Sequence, residues 1–347
     1  VLPVSGFFSR FLPLFLSLAA LASAPARAEV DVLASIKPLQ LIAAAVQDGL
    51  DEPQVLLPAG ASAHDYALRP SDVRHIRSAD LFYWIGPDME RFLTTAVAAR
   101  RGPSLALQTL PDLTLRHFGD LHGAADEHDD DDHHGDGDGD GDGDGDGDGD
   151  GHGHGHDAGE PAGAMDEHDH DHRPGSLDAH LWLLPANARV IAARMAEDLA
   201  TLDPANAQRY RANLEAFDGR LDALDQHLQA RLGRLHQRPF FVFHEAYDYF
   251  EAAYGLAHAG VFSAGGEAQP GARHVAAMRQ RLEQAGPSCV FHEPPARPRL
   301  ADSLVRGLPV TVAVLDPMGH GIAADEKGYA ALIEQLGNEL AGCLEAL

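Results

Sequence analysis

Basic residues are scarce in this chain. Lys and Arg number 26 against 53 Asp and Glu, giving a formal net charge of −27, and the basic residues nowhere cluster. Without a basic stripe to neutralise phosphates, no nucleic-acid partner is expected. Long apolar runs are absent beyond the first residues, so no later segment reaches the roughly 20 apolar positions that a membrane-crossing helix needs. The phosphate-cradling G-x-x-x-x-G-K-[ST] pattern and the zinc-protease H-E-x-x-H pattern are both missing, so the chain carries no ATPase loop of its own. Cysteine is limited to Cys289 and Cys343. In an oxidising compartment the pair reads as one disulfide tying a C-terminal helix to an inner strand; two independent buried thiols are the other reading.

What is present begins with an export signature. Arg10 precedes the apolar run Phe11 to Ala22, and Ala26-Arg27-Ala28 supplies small residues at a cleavage site. This combination predicts a signal peptide over residues 1–28, with the mature chain starting near Glu29. The negative charge is concentrated: residues 120–172 hold 18 Asp, 3 Glu and no Lys or Arg. Within them a strict Gly-Asp alternation from Asp136 to Asp150 is flanked by His128, His133, His134, His152, His154, His156, His168, His170 and His172. With almost nothing apolar to bury, this stretch cannot offset its chain entropy and reads as a disordered insert in the first lobe. Histidines at such spacing on an acidic chain suit weak, multiple zinc chelation; a plain solvated linker is the other reading.

The rest alternates strand and helix. Val30 to Ser35, Pro53 to Leu57 and Leu81 to Ile85 read as strands, with helices near 38–47 and 70–78 between them, which predicts parallel βαβ units. Helices over 186–201 and 204–235 are separated at Asp203-Pro204. In the second, Tyr210, Leu214, Phe217, Leu221, Leu224, Leu228 and Leu232 form one apolar stripe, suited to a strut between two lobes. Strand-like runs at 240–243, 289–291 and 310–315, with helices near 246–254, 272–285, 297–306 and 327–343, repeat the architecture. The expectation is an α/β protein of two lobes, each a parallel sheet flanked by helices, joined by a long rigid helix. Its boundaries are an N-terminal lobe over 29–185, a helical region over 186–235 and a C-terminal lobe over 236–347.

Three histidines stand where a strand ends or a loop turns. They are His64 in GASAHDYALRPSD, His180 in LDAHLWLLP and His244 in FFVFHEAYDYF. Ligands of open α/β sheets bind beyond the carboxyl ends of strands, and three imidazoles meeting there suit zinc with one position open. Singly, a loop histidine is more often a surface or capping residue, the reading given to His75, His117, His227, His236 and His258.

The stretches ASIKPLQLIAAAV, LLPAGASAHDYALRPSDV, ADLFYWIGPDME, HLWLLP, FFVFHEAYDYF, QPGARH, CVFHEPPARP and LDPMG occur in the order found in the zinc-specific solute-binding proteins of ABC import systems. The chain resembles this ZnuA-like family along nearly its whole mature length. The resemblance implies zinc ligation by His64, His180 and His244 in a cleft between lobes, a rigid interlobe helix and a Cys289–Cys343 disulfide. It implies a periplasmic monomer that carries Zn²⁺ as transported ligand to an integral-membrane ABC permease with a separate ATPase subunit. Relatives often carry an acidic residue before the first histidine, where this chain has Ala63. That leaves a water, a histidine of the insert or Asp316 as fourth ligand; Asp316 matches an aspartate of the manganese-binding relatives. Gly265-Gly266-Glu267 stands where relatives have Pro before Glu, and His292 fills a slot often held by a small residue, making it a candidate outer-sphere group. Manganese relatives present a Glu in the place of His244, so the imidazole favours zinc.

Two further readings share these features. A zinc-dependent hydrolase or hydratase also uses three histidines and an open position, with Asp65 and Glu245 as the neighbouring carboxylates. A manganese-binding or adhesin-type protein of the same fold differs in metal or partner.

Overall fold

A computed structural model describes residues 30–119, 175–263, 272–294 and 303–347. The predicted signal peptide, the acidic insert with its histidine clusters, Gly265-Gly266-Glu267 and most of the helix expected over 297–306 lie outside these residues.

Two parallel four-stranded sheets organise the chain. The first joins β1 (Val32–Ala34), β2 (Gln54–Val55), β3 (Leu81–Trp84) and β4 (Ser104–Ala106) in the order β2-β1-β3-β4. Every residue of β1 and β3 is buried. Such a strand reads as an unbroken apolar run because both of its faces are covered. The helices α1 (Lys37–Gln47), α2 (Pro70–Ser78) and α3 (Thr94–Ala98) alternate with these strands. Helices α1 and α2 both begin with proline in the first turn, where its missing N–H costs no hydrogen bond.

A small antiparallel ladder follows, with β5 (Arg116–His117) against β6 (Leu177–Asp178). Beyond it the Phe118 N–H donates to Ser176 O at 3.0 Å and the Gly175 N–H to Phe118 O at 2.9 Å. The backbone on either side of residues 120–174 is therefore bonded together at a neck.

Helices α4 (Pro185–Leu202) and α5 (Ala207–Leu232) are separated at Asp203, as the Asp-Pro step predicts. At 26 residues, α5 is about 39 Å long. It packs on α1 and α4 on one side and on elements of the second lobe on the other. Its buried stripe is Tyr210, Asn213, Phe217, Leu221, Leu224, Leu228 and Leu232. The expected Leu214 is only half-buried, and Asn213 takes its place. The Asn213 amide donates to Val46 O at 2.8 Å and Asp48 O at 2.9 Å, satisfying carbonyls that the end of α1 leaves open.

The second sheet joins β7 (Phe240–His244), β8 (Gly260–Ser263), β9 (Ser288–His292) and β10 (Val310–Val314) in the order β10-β9-β7-β8, again parallel. Helices α6 (Asp248–Tyr254), α7 (Ala272–Ala285) and α8 (Gly328–Leu344) accompany it. A Cys289–Cys343 disulfide ties the inner strand β9 to α8, its Cα atoms 6.2 Å apart. No helix among the described residues is long and apolar enough to cross a membrane.

Strands β4, β8 and the β5–β6 ladder have no counterpart in the sequence reading. SLA and GVFS are too short and too weakly apolar to show a strand period; they become strands because a neighbour's edge offers them partners.

Candidate metal centre

His64, His180 and His244 come from three separate segments and meet. His64 lies in the loop after β2. There Ser62 Oγ accepts the N–H groups of both His64 and Asp65 at 3.1 Å, a local turn that a serine side chain favours. His180 stands two residues beyond β6, at the start of a 3₁₀ turn over Leu181–Leu183. His244 is the last residue of β7, at the carboxyl edge of the second sheet. One potential ligand nitrogen from each ring lies within 4.8 Å of the other two. Ring centroids are 5.3 Å apart for His64–His180, 5.4 Å for His64–His244 and 4.9 Å for His180–His244. The Nε2 atoms of His64 and His180 are 3.3 Å apart.

Carboxylates fix two of these rings. His180 Nδ1 donates to Asp178 Oδ1 at 2.7 Å, and the His180 backbone N–H donates to the same oxygen at 2.9 Å. His244 Nδ1 donates to Glu293 Oε1 at 3.1 Å. With Nδ1 committed, Nε2 is the atom presented to a ligand, the arrangement by which outer carboxylates set the tautomer of metal-bound histidine. Tyr247 braces the second pair, its hydroxyl 3.1 Å from Glu293 Oε1 and 3.0 Å from Leu315 O.

The electrostatics favour uncharged imidazole at His64. Burial pushes its pKa down to about 3, and the neighbouring His244 adds to the shift; both disfavour the protonated ring. Burial pushes the Asp178 carboxyl well above the usual carboxylate range. The His180 N–H opposes that, while Asp248 and Glu245 reinforce it.

Asp178 and Glu293 were not singled out in the sequence. Signals existed: Asp178 is two residues before His180, and Glu293 directly follows a buried strand as His244 ends another. Asp316 is not within the cluster of three rings. Its Oδ1 accepts from the Met318 N–H at 3.0 Å, the Gly319 N–H at 3.1 Å and His320 Nδ1 at 3.0 Å, and its Oδ2 accepts from the His320 N–H at 2.6 Å. His292 is buried, with Nδ1 3.5 Å from Glu293 O, and Glu293 meets the ring of His244. Asp65 is exposed, and Ala63 is buried with no polar atom to offer.

His117, His227 and His236 are exposed and His75 is half-buried, as loop and surface histidines are. His258 differs from the surface reading given to it. It is buried, with Nδ1 2.9 Å from Glu251 Oε1 and 3.9 Å from Asp248 Oδ1. Burial lowers its pKa, but Glu251 and then Asp248 and Glu245 outweigh that and raise it. Glu245, Asp248 and His258 also lie within 4.8 Å of one another, with the His258 ring held by Glu251.

The family described as "ZnuA: Zinc-uptake complex component A periplasmic" matches residues 32–343. The chain is 37% identical over 321 residues to the protein named "High-affinity zinc uptake system protein ZnuA" of Yersinia pestis, covering 92% of each chain. It is 40% identical over 328 residues to the protein of that name from Haemophilus influenzae, covering 94% of this chain and 96% of the relative. The solved structure described as "Crystal structure of ZnuA" superposes with a TM-score of 0.67 at 21% identity, over 91% of this chain and 100% of that one, a likeness of fold. A family match spanning both sheets and the helix between them, with relatives similar over nearly their whole length, places this chain in the ZnuA family of zinc-uptake proteins.

Proposed function

We propose that this chain captures Zn²⁺ in the periplasm and delivers it to an ABC-type permease, with His64, His180 and His244 as the ligands. The carrying observation is the convergence of three imidazoles, two from the first lobe's loops and one from the end of β7, with nitrogens within 4.8 Å. Zinc accepts such nitrogens in tetrahedral array and leaves a fourth place for another ligand. A nitrogen-only set also favours zinc over manganese, which prefers harder oxygen donors. Ala63 and the engaged Asp316 make a water the fourth ligand in this reading. The relatives carry names of uptake-system proteins, which accords with binding and release and not with hydrolysis.

Two domains bridged by α5 suit the task, since ligands drawn from both lobes let lobe movement open or complete the site. The chain acts as an exported monomer whose ATPase is a separate subunit, and the histidines of residues 120–172 act as a weaker reservoir. The test is a titration of purified protein with zinc against a competing chelator. One tight equivalent, lost in H64A, H180A and H244A and kept in H227A, is the expected result. Tight binding that persists in any of the three single variants would remove that residue from the site.

A further inference from the structure

One short segment touches the surroundings of all three histidines. Leu315 to His320 links β10 to the loop before α8, and Asp316 organises it by accepting three backbone N–H groups and the ring of His320. From this turn, His320 reaches to the first lobe: Gly60 N–H donates to His320 Nε2 at 3.0 Å. Gly60 is four residues before His64, in an exposed loop with φ +78°. The Trp182 indole N–H, two residues after His180, donates to Pro317 O at 2.9 Å. The Tyr247 hydroxyl, three residues after His244, is 3.0 Å from Leu315 O.

We infer that Leu315–His320 is a clasp that sets the spacing of the three histidines across the lobes, with His320 as the positioning residue for the His64 loop. This rests on the reading of those histidines as zinc ligands. The chemistry is specific. Asp316 takes the Nδ1 proton of His320, which leaves Nε2 as an acceptor, and an exposed glycine N–H in a turn is a donor that water otherwise satisfies. Gly60 has no side chain with which to hold its own loop, so the crossing bond is one contact that registers that loop against the second lobe, beside the ring contact of His64 with His244. Asp316, one of three candidates for the fourth ligand, acts here through the turn it folds.

The experiment compares zinc release from the full-length wild type, H320A and H320Q by stopped-flow with excess chelator. It adds the absorption spectrum of the Co²⁺-loaded proteins and the melting temperature without metal. One hydrogen bond of ordinary strength predicts zinc release about three- to tenfold faster in H320A. The Co²⁺ bands should match wild type, and the metal-free melting temperature should fall by no more than the few degrees that one hydrogen bond is worth. Gln presents an acceptor near the place of Nε2, so H320Q should recover most of the slow release. Unchanged release in H320A, or no recovery in H320Q, overturns the clasp. An altered Co²⁺ spectrum in H320A also overturns it, by making His320 a ligand. Tight binding retained in H64A, run alongside, overturns the ligand reading itself and is a separate failure.

Discussion

Asp178 Oδ1 receives both the ring Nδ1–H and the backbone N–H of His180, at 2.7 and 2.9 Å. One buried carboxylate oxygen thus fixes the ring's rotation and its tautomer together. Glu293 Oε1 engages the ring of His244 alone, with Nδ1 at 3.1 Å.

Removing these acceptors should weaken zinc binding without removing a ligand. Loss of an outer-sphere partner typically costs about 10–100-fold in metal affinity. D178A should fall in that range, and E293A toward its lower end because Glu293 is partly exposed. Chelator competition reads both. Wild-type affinity in D178A would show that the imidazole needs no carboxylate to hold it.

His64 should titrate far below an ordinary histidine. Its pKa is pushed to about 3 by burial, with His244 adding, while in the unfolded chain it is about 6.5. Between these values the unfolded state binds more protons, so the metal-free fold loses stability as pH falls from about 6.5 toward 3. The same shift means that zinc capture at pH 7 displaces no proton from His64. The ring proton resonances of His64 in metal-free protein should show a midpoint near pH 3, and H64Q should reduce the loss of stability in acid. A midpoint near 6.5 would contradict both expectations.

Excision of residues 120–172 should leave the tight site intact. The chain enters and leaves this segment at the Phe118–Gly175 and Phe118–Ser176 bonds, so a short turn can close the ladder with little entropic cost. All three site histidines lie outside the excision. Calorimetry should show one tight equivalent retained and the weaker equivalents gone. Loss of the tight equivalent would place a residue of that segment in the coordination sphere.

The sequence exposed the parts of this architecture that rest on one residue's own chemistry. Buried strands such as LFYW, the Asp203-Pro204 break and the period of α5 are local signals, and they correspond to elements found. His64, His180 and His244 were legible as candidates because each stands at a strand end or turn, and family resemblance separated them from other loop histidines. What escaped was relational. Asn213 in the α5 stripe is buried because it meets the open carbonyls of α1, and no helical period encodes that. His258 is internal because Glu251 and Asp248 surround it. Asp178 and Glu293 gain their roles from rings that fold against them, and the bonds by which Asp316, one of three fourth-ligand candidates, closes its own turn depend on how the chain folds after it. β4 and β8 are strands only through their neighbours.

The central claim is that one zinc ion is held by His64, His180 and His244 together. X-ray absorption at the zinc edge of protein loaded with one equivalent measures it directly. The account predicts three imidazole nitrogens at about 2.0–2.1 Å, and one fewer in each of H64A, H180A and H244A. A wild-type spectrum with fewer than three imidazoles, or one that any of these variants leaves unchanged, would contradict it.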